Sequence, residues 1–226
     1  MEDRGLRNLV NEGGDPRMAV VAAGKRGRTW VGLLSLVSLL ALVLPTTGQA
    51  RDAQAIIQEL CIACHTMDGN AVVPAFPKLA GLHAAYLEKQ LSDFANGYRK
   101  QEPMESFAKQ LSPKEIRTLA NYFSAQRRHD GVVTEPDLLE RGREIFHEGD
   151  KENGVPACAG CHKPDGSGTP RSVMIAGQNA PYVAQQLTMF KNDERTNDRG
   201  MLMRTVAGRL TQEEIQAVAQ YVASMR

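Results

Sequence analysis

The sequence has few aromatic residues, few cysteines and almost no net charge. Aromatic residues make up only 5% of the 226 residues, so two small domains built from this chain would have thin cores. Cores of that size usually need support from a metal, a disulfide or a partner. The formal net charge of +1 gives no indication of nucleic-acid binding. The length allows one large domain or two small ones.

Long hydrophobic runs are also scarce. The run at residues 30–44 has 15 residues, whereas a bilayer-spanning helix needs about 20. Lys25, Arg26 and Arg28 precede this run, and a stretch of mostly small residues follows it. A basic flank, a short apolar core and small residues are typical of an export signal. We predict that residues 1–50 are a signal or targeting segment, and an uncleaved membrane anchor is the alternative.

The rest of the chain repeats itself. The sequence Cys61-Ile62-Ala63-Cys64-His65 recurs as Cys158-Ala159-Gly160-Cys161-His162. Further pairs match at offsets of 96 to 99 residues, namely Ala80 and Ala176, Tyr86 and Tyr182, Gln90 and Gln186, Phe94 and Phe190, and Met104 and Met203. Self-similarity over this length indicates a duplicated unit.

Both copies have helical periodicity and no convincing strand. Apolar residues recur at helical spacing in each copy, as Leu87, Leu91 and Phe94 and as Val183, Leu187 and Phe190. A capping box begins the last helix of each copy, at residues 112–115 and 211–214. We therefore predict an all-α fold with two tandem domains, residues 51–125 and 137–226, joined by a linker at 126–136.

The four cysteines all lie in the two repeated motifs, so none remains for a structural disulfide. A zinc site would need its cysteine pairs close together, and a thioredoxin-like redox pair would need alternating strands and helices. Haem attachment accounts for every residue, because two thiols form thioethers and the adjacent histidine reaches the iron. We predict two covalent haem c groups, held by Cys61, Cys64, Cys158 and Cys161, with His65 and His162 as iron ligands.

A sixth iron ligand is predicted from the repeat. Met104 and Met203 lie 39 and 41 residues after their histidines, at equivalent positions before the last helix. Methionine is a common axial ligand of cytochrome haem, and Met201 is the competitor in the second copy. Tyr86 and Tyr182 are candidates for hydroxyls near a haem propionate. Basic residues around the methionines are predicted to steer an acidic partner; they are Arg99, Lys100, Lys191, Arg195, Arg199 and Arg204.

These motifs resemble those of the dihaem cytochrome c4 family, which is built from two class I cytochrome c domains. The resemblance covers about residues 51–226 and rests on segments such as CIACHTMDG, CAGCHKPDG, YLEKQLSDF and YVAQQLTMF. It implies His/Met ligation, a periplasmic location and electron transfer toward a terminal oxidase or reductase. It also implies that the Pro77 carbonyl orients His65, whereas Val173 occupies the matching place in the second copy.

An electron carrier is the function that the sequence favours, because iron with both axial positions filled does not bind oxygen or peroxide directly. The expected partners are a redox donor and acceptor, and not nucleic acid. A haem subunit of a larger dehydrogenase or reductase is the first alternative, and a dihaem peroxidase is the second. Membrane association would come from an uncleaved N-terminal segment or from a membrane oxidase.

Overall fold

Helices make up the regular structure of residues 51–226, the part of the chain that the computed structural model describes. The first half, residues 51–125, contains α1 (Ala53–Ile56), α2 (Ile62–His65), α3 (Ala84–Ala95), α4 (Met104–Ala108) and α5 (Pro113–Ser124). The second half, residues 137–226, contains α6 (Leu139–Glu148), α7 (Ala159–His162), α8 (Ala180–Lys191), α9 (Leu202–Ala207) and α10 (Gln212–Ser224). The all-α prediction is confirmed for these residues, and the predicted leader at 1–50 lies outside them.

Short non-α turns connect some of these helices. A π-helical turn at Ile57–Cys61 joins α1 to α2, so the first haem motif continues a helix. In the second half, 3₁₀ turns at Pro136–Leu138 and Arg199–Met201 precede α6 and α9. An isolated β-bridge pairs Asp150 with Val155 in the loop between α6 and α7. The two halves therefore reach their cysteine motifs by different routes.

Both predicted capping boxes are formed. The Ser112 hydroxyl accepts a hydrogen bond from the Glu115 N–H at 3.3 Å, and the Glu115 carboxylate accepts from the Ser112 N–H at 2.8 Å. Thr211 and Glu214 make the equivalent bonds at 3.2 and 2.9 Å. These bonds satisfy N–H groups that a helix start leaves free. The last helix of each half thus begins where the sequence predicted.

Each half has its own hydrophobic cluster, formed by the predicted apolar faces. In the first half, α3 packs on α5, and the buried residues include Leu87, Phe94, Ile116, Leu119 and Phe123. In the second half, α10 packs on both α6 and α8, and the buried residues include Phe146, Leu187, Phe190, Ile215 and Val222. No helix within residues 51–226 has the length and hydropathy required to cross a membrane.

The helix crossing in the second half is especially close at Gly142. A β-carbon there would overlap the carbonyl oxygen of Ala217 and lie 2.8 Å from the β-carbon of Tyr221. Only glycine lets the backbones of α6 and α10 approach this closely. Ala53 occupies the matching sequence position in the first half, where the helix is four residues long before its π-helical turn.

The segment predicted as a linker lies against both halves. The Arg128 guanidinium donates to the carbonyl of Ala80 at 2.9 Å and to that of Ala176 at 3.1 Å, and these two alanines are equivalent in the repeat. The Lys78 ammonium also donates to the His129 carbonyl at 3.0 Å. Residues 126–135 therefore hold the halves together through hydrogen bonds rather than forming a loose connection.

Candidate haem sites

A mostly apolar cavity in the first half brings the predicted ligands together. Three predicted haem-site residues, Cys61, His65 and Met104, line it. The remaining lining residues are apolar, and they are Leu60, Leu91, Phe107, Ala108, Leu111 and Leu119. Helix α2 supplies the histidine and the first residue of α4 supplies the methionine. Apolar side chains around a histidine, a methionine and a cysteine are the lining that a haem would contact.

In both predicted haem-ligating histidines, one ring nitrogen is hydrogen-bonded to a backbone carbonyl. The Nδ1 of His65 donates to the Pro77 carbonyl at 3.0 Å, and the Nδ1 of His162 donates to the Val173 carbonyl at 2.8 Å. This bond fixes the tautomer and leaves Nε2 as the nitrogen that can bind a metal. Burial lowers the pKa of both histidines, which favours the neutral imidazole that ligation requires. The change from proline to valine leaves the carbonyl bond intact.

The cysteines occupy positions suited to thioether formation and unsuited to zinc. None of the four is in a disulfide. Burial raises the pKa of Cys61 and of Cys158 to about 11, so in the absence of a bound group both are neutral thiols. No three histidine, cysteine or acidic side chains among residues 51–226 are grouped so as to hold a metal ion. These observations fit haem attachment better than a zinc site.

Met203 and Met201 occupy contrasting environments. Met203 is half-buried in α9 and packs against the hydrophobic cluster of the second half. Met201 is 54% exposed and has a left-handed backbone conformation with φ of 59°. A side chain that faces solvent is poorly placed to reach a haem in the core. The choice of Met203 over Met201 as the ligand stays a prediction.

Sequence reasoning missed a buried polar cluster that joins the two halves. Arg99 donates to Gln90 at 2.8 Å and to Gln186 at 2.6 Å. Arg195 makes the mirrored bonds, at 2.8 Å to Gln186 and at 3.1 Å to Gln90. Each arginine therefore bonds to the glutamine of its own half and to that of the other. We call these four residues the arginine cluster.

The two predicted tyrosines lie at the edge of the arginine cluster. Arg195 donates to the Tyr86 hydroxyl at 3.3 Å, and Arg99 donates to the Tyr182 hydroxyl at 3.2 Å. Although burial raises the pKa of Tyr86, the nearby guanidinium groups of Arg195 and Arg99 outweigh that effect and lower it. Contact of the Tyr86 and Tyr182 hydroxyls with a haem propionate stays a prediction. The internal repeat could have identified the arginine cluster, because Arg99 and Arg195 each lie five residues after a phenylalanine that recurs in both halves.

The prediction that basic side chains around the methionines form a docking surface is wrong for Arg99 and Arg195. Arg99 is 4% exposed and Arg195 is 7% exposed. Each guanidinium lies 4.5 Å from the centre of the phenylalanine ring five residues before it. Arg204 is largely occupied by an ion pair with Asp198 at 2.8 Å. Lys100, Lys191 and Arg199 are exposed, and the docking role stays a prediction for these three.

Two further histidines and two further methionines have ordinary surroundings. His147 bonds to the Tyr221 hydroxyl at 2.8 Å, and His129 is exposed. Met225 is buried in the second hydrophobic cluster, and Met67 packs against the first. His83 differs, because its buried Nδ1 has no hydrogen-bond partner among the described residues.

The fold and these sites define a c-type cytochrome with two haem-binding halves. The family model for cytochrome c matches residues 50–126 and 139–226. The chain is 38% identical to cytochrome c4 of Thiocapsa roseopersicina over 185 residues, which are 80% of this chain and 95% of that protein. It is 34% identical to the thiosulfate dehydrogenase electron acceptor of Stutzerimonas stutzeri over 202 residues, 84% and 94% of the two chains.

A solved structure agrees with these sequence relatives. The crystal structure of reduced recombinant cytochrome c4 from Pseudomonas stutzeri has a TM-score of 0.72 and 38% identity, and the match covers 78% of this chain and 100% of that one. This chain belongs to the cytochrome c4 family. It is an electron carrier rather than an enzyme, and it holds two haem c groups covalently.

Proposed function

We propose that His65 and Met104 are the axial ligands of the first haem iron, with Cys61 and Cys64 as its thioether attachments. His65, Met104 and Cys61 line one cavity, which supports this assignment. The Nδ1 bond to Pro77 leaves Nε2 of His65 for the iron. The apolar side chains around the ligands would exclude water from the haem face.

By the same reasoning, His162 and Met203 are the ligands of the second iron, with Cys158 and Cys161 as the attachments. Cys158 and Met203 both pack against the hydrophobic cluster of the second half, and His162 repeats the carbonyl bond of His65. Residues 51–125 and 137–226 are the corresponding haem domains, with residues 126–136 as their connection. The family match over residues 50–126 and 139–226 supports these limits.

Two protein ligands on each iron favour outer-sphere electron transfer. Haem iron supplies a one-electron couple between its ferric and ferrous states. Met104 and Met203 would supply the thioether sulfur that favours the ferrous state and raises the potential, and His65 and His162 would supply the second protein ligand of each iron. With both positions taken by Met104 and His65, or by Met203 and His162, peroxide has no open coordination site. A dihaem peroxidase is therefore the weaker alternative.

We infer that the chain works in the periplasm and passes single electrons toward a terminal oxidase or reductase. The basic and apolar pattern of residues 1–50 supports export. A relative named thiosulfate dehydrogenase electron acceptor supports a dehydrogenase as the donor. Such a donor also fits the alternative that the chain is a haem subunit of a larger complex. Co-purification with a flavin, molybdenum or copper protein would favour the subunit.

Carbon monoxide binding to reduced variants tests the ligand assignment. We expect Met203→Ala to open one iron, lower the potential of that haem and leave the other haem unchanged. Met201→Ala is the matched control, since it removes an exposed thioether two residues away, and it should bind no carbon monoxide. A redox titration with optical and EPR detection would count the haems and identify their ligands. Carbon monoxide binding by the Met201 variant alone would contradict the assignment.

A further inference from the structure

The peptide unit between Pro77 and Lys78 is held at both of its ends. Its carbonyl accepts the hydrogen bond from His65 Nδ1 at 3.0 Å, and its N–H donates to the side-chain oxygen of Gln178 at 2.8 Å. A peptide unit is planar, so fixing the direction of its N–H also fixes the direction of its carbonyl. Gln178 belongs to the second half. A residue of the second half therefore determines where the acceptor of His65 points.

The neighbouring peptide units are held from the same side. The Gln178 amide nitrogen donates to the Lys78 carbonyl at 2.9 Å, and the Asn179 amide nitrogen donates to the Phe76 carbonyl at 2.9 Å. Gln178 and Asn179 are each 5% exposed. Removing one partner of a hydrogen bond buried this deeply destabilises the folded protein, because water does not reach the polar group that is left unpaired. Three consecutive peptide units around Pro77 thus depend on two side chains of the second half.

The reverse arrangement is missing from the described residues. Leu82 occupies the repeat position of Gln178, and a leucine side chain makes no hydrogen bond. The backbone before Val173 is held locally instead, since Thr169 and Ser172 exchange backbone hydrogen bonds at 2.7 and 3.1 Å. Within residues 51–226, no side chain of the first half hydrogen-bonds to residues 172–174. Val173 and Met174 do pack against the hydrophobic cluster of the first half. The asymmetry between the two histidines therefore lies in the hydrogen bonds that hold the acceptor peptide.

We propose that Gln178 and Asn179 are positioning residues for His65, through which the second half tunes the reduction potential of the first haem. This proposal rests on the assignment of His65 as an iron ligand. A firm Nδ1 hydrogen bond makes the imidazole a more basic ligand, and a more basic ligand stabilises ferric iron. When Gln178 is lost, the Pro77 carbonyl is free to turn away from His65, and the bond weakens. The potential of the first haem then rises.

The test uses the full-length protein with both haems and the variant Gln178→Leu. In an NMR-monitored redox titration, we expect the first haem to shift to a higher potential and the second to stay unchanged. In ¹⁵N-histidine-labelled protein, the ring N–H resonance of His65 should move while that of His162 does not. Gln220→Leu is the matched control, because Gln220 is also buried and accepts from the Thr134 N–H at 3.0 Å, but does not touch the backbone around either histidine. It should move neither resonance.

Several results would overturn the proposal. One is an unchanged first potential in the Gln178 variant, and another is an equal shift of both haems or an equal effect of Gln220→Leu. Should Gln178→Leu fail to fold, Asn179→Ala removes the bonds to the Phe76 and Ala71 carbonyls but leaves the Pro77–Lys78 peptide held by Gln178. It should shift the first haem in the same direction by less. Absence of a haem-shifted His65 ring signal in the unmodified protein would refute the ligand assignment itself, and the positioning role with it.

Discussion

The two halves carry the same haem-attachment motif, yet they support its histidine by different means. His65 and His162 each donate to a backbone carbonyl, at 3.0 and 2.8 Å. Gln178 of the second half holds the peptide that contains the first carbonyl, whereas a local turn precedes the second. Duplication thus preserved the bond that ligation requires and left its support free to diverge. The bond from the histidine to a backbone carbonyl is repeated in both halves, whereas the hydrogen bonds that hold that carbonyl in place are not.

The halves also differ in how the chain enters the motif. In the first half, α1 continues through the π-helical turn Ile57–Cys61 directly into α2. In the second half, the loop after Glu148 separates α6 from α7, and α6 has ten residues. The longer helix packs closely on α10 through Gly142. The second half therefore has a more extensive helical core, which suits its role as a support for the first.

The largest expected difference between the two halves comes from variants that lose one haem at a time. Replacing Cys158 and Cys161 by serine should leave one haem, because no thioether can form, and the small second core should fold poorly without its central group. Since the second half supports His65, the potential of the remaining haem should rise. A pyridine haemochrome assay counts the haems, and a redox titration gives the remaining potential.

The matched variant replaces Cys61 and Cys64 by serine. It should also leave one haem, but the potential of the remaining haem should move less than in the first variant. The hydrogen bonds before Val173 are local to the second half, and Val173 meets the first half only by packing. Two haems in either double variant would contradict the attachment sites. Equal disturbance of the remaining haem in both variants would show that the halves support each other symmetrically.

A smaller effect is expected from filling the close helix crossing of the second half. Gly142→Ala places a methyl group against the Ala217 carbonyl, and overpacking of this kind typically costs about 1–3 kcal/mol. Gly160→Ala is the control, since no atom lies within 4 Å of the added carbon and the first copy has Ala63 there. It should be neutral or stabilise by up to about 1 kcal/mol. Urea unfolding followed by circular dichroism measures both. Equal stability of the two variants would mean that α6 moves away from α10 without cost.

Local signals explain why much of the fold and site was predictable. The cysteine motifs, the capping boxes and the spacing of the apolar residues each lie within a few residues of one another, so the sequence displays them directly. Met203 was distinguished from Met201 by its register to the following helix, and its half-buried environment agrees with that choice. Contacts of this kind do not depend on how the two halves meet.

Contacts between the halves were not predictable in the same way. Arginines are ordinarily exposed, and Arg99 and Arg195 were therefore expected on the surface. They are buried because each finds two glutamine partners, one in its own half and one in the other half. Gln178 was overlooked because a lone glutamine has no pattern that indicates a partner one hundred residues away in sequence. Only the relative placement of the halves reveals these roles.

The smallest expected effect concerns the ion pair that ties each half to its last helix. Arg51 donates to Glu115 at 2.8 Å, and Arg141 donates to Glu214 at 2.7 Å. The hydrogen bond from Arg51, together with those from Ser112, lowers the pKa of Glu115 from its ordinary 4.5 to about 2. A carboxylate shifted in this direction stabilises the folded state above pH 4.5, and the contribution is lost as the pH falls to about 2.

Arg51→Met should therefore flatten the dependence of the unfolding free energy on pH in this window. At neutral pH it should cost about 0–1 kcal/mol, since the arginine is partly exposed. Arg141→Met provides the comparison in the other half, and urea unfolding at a series of pH values measures both. A profile for Arg51→Met that overlays the unmodified protein would show that the Ser112 hydrogen bonds, and not the arginine, hold the pKa of Glu115 down.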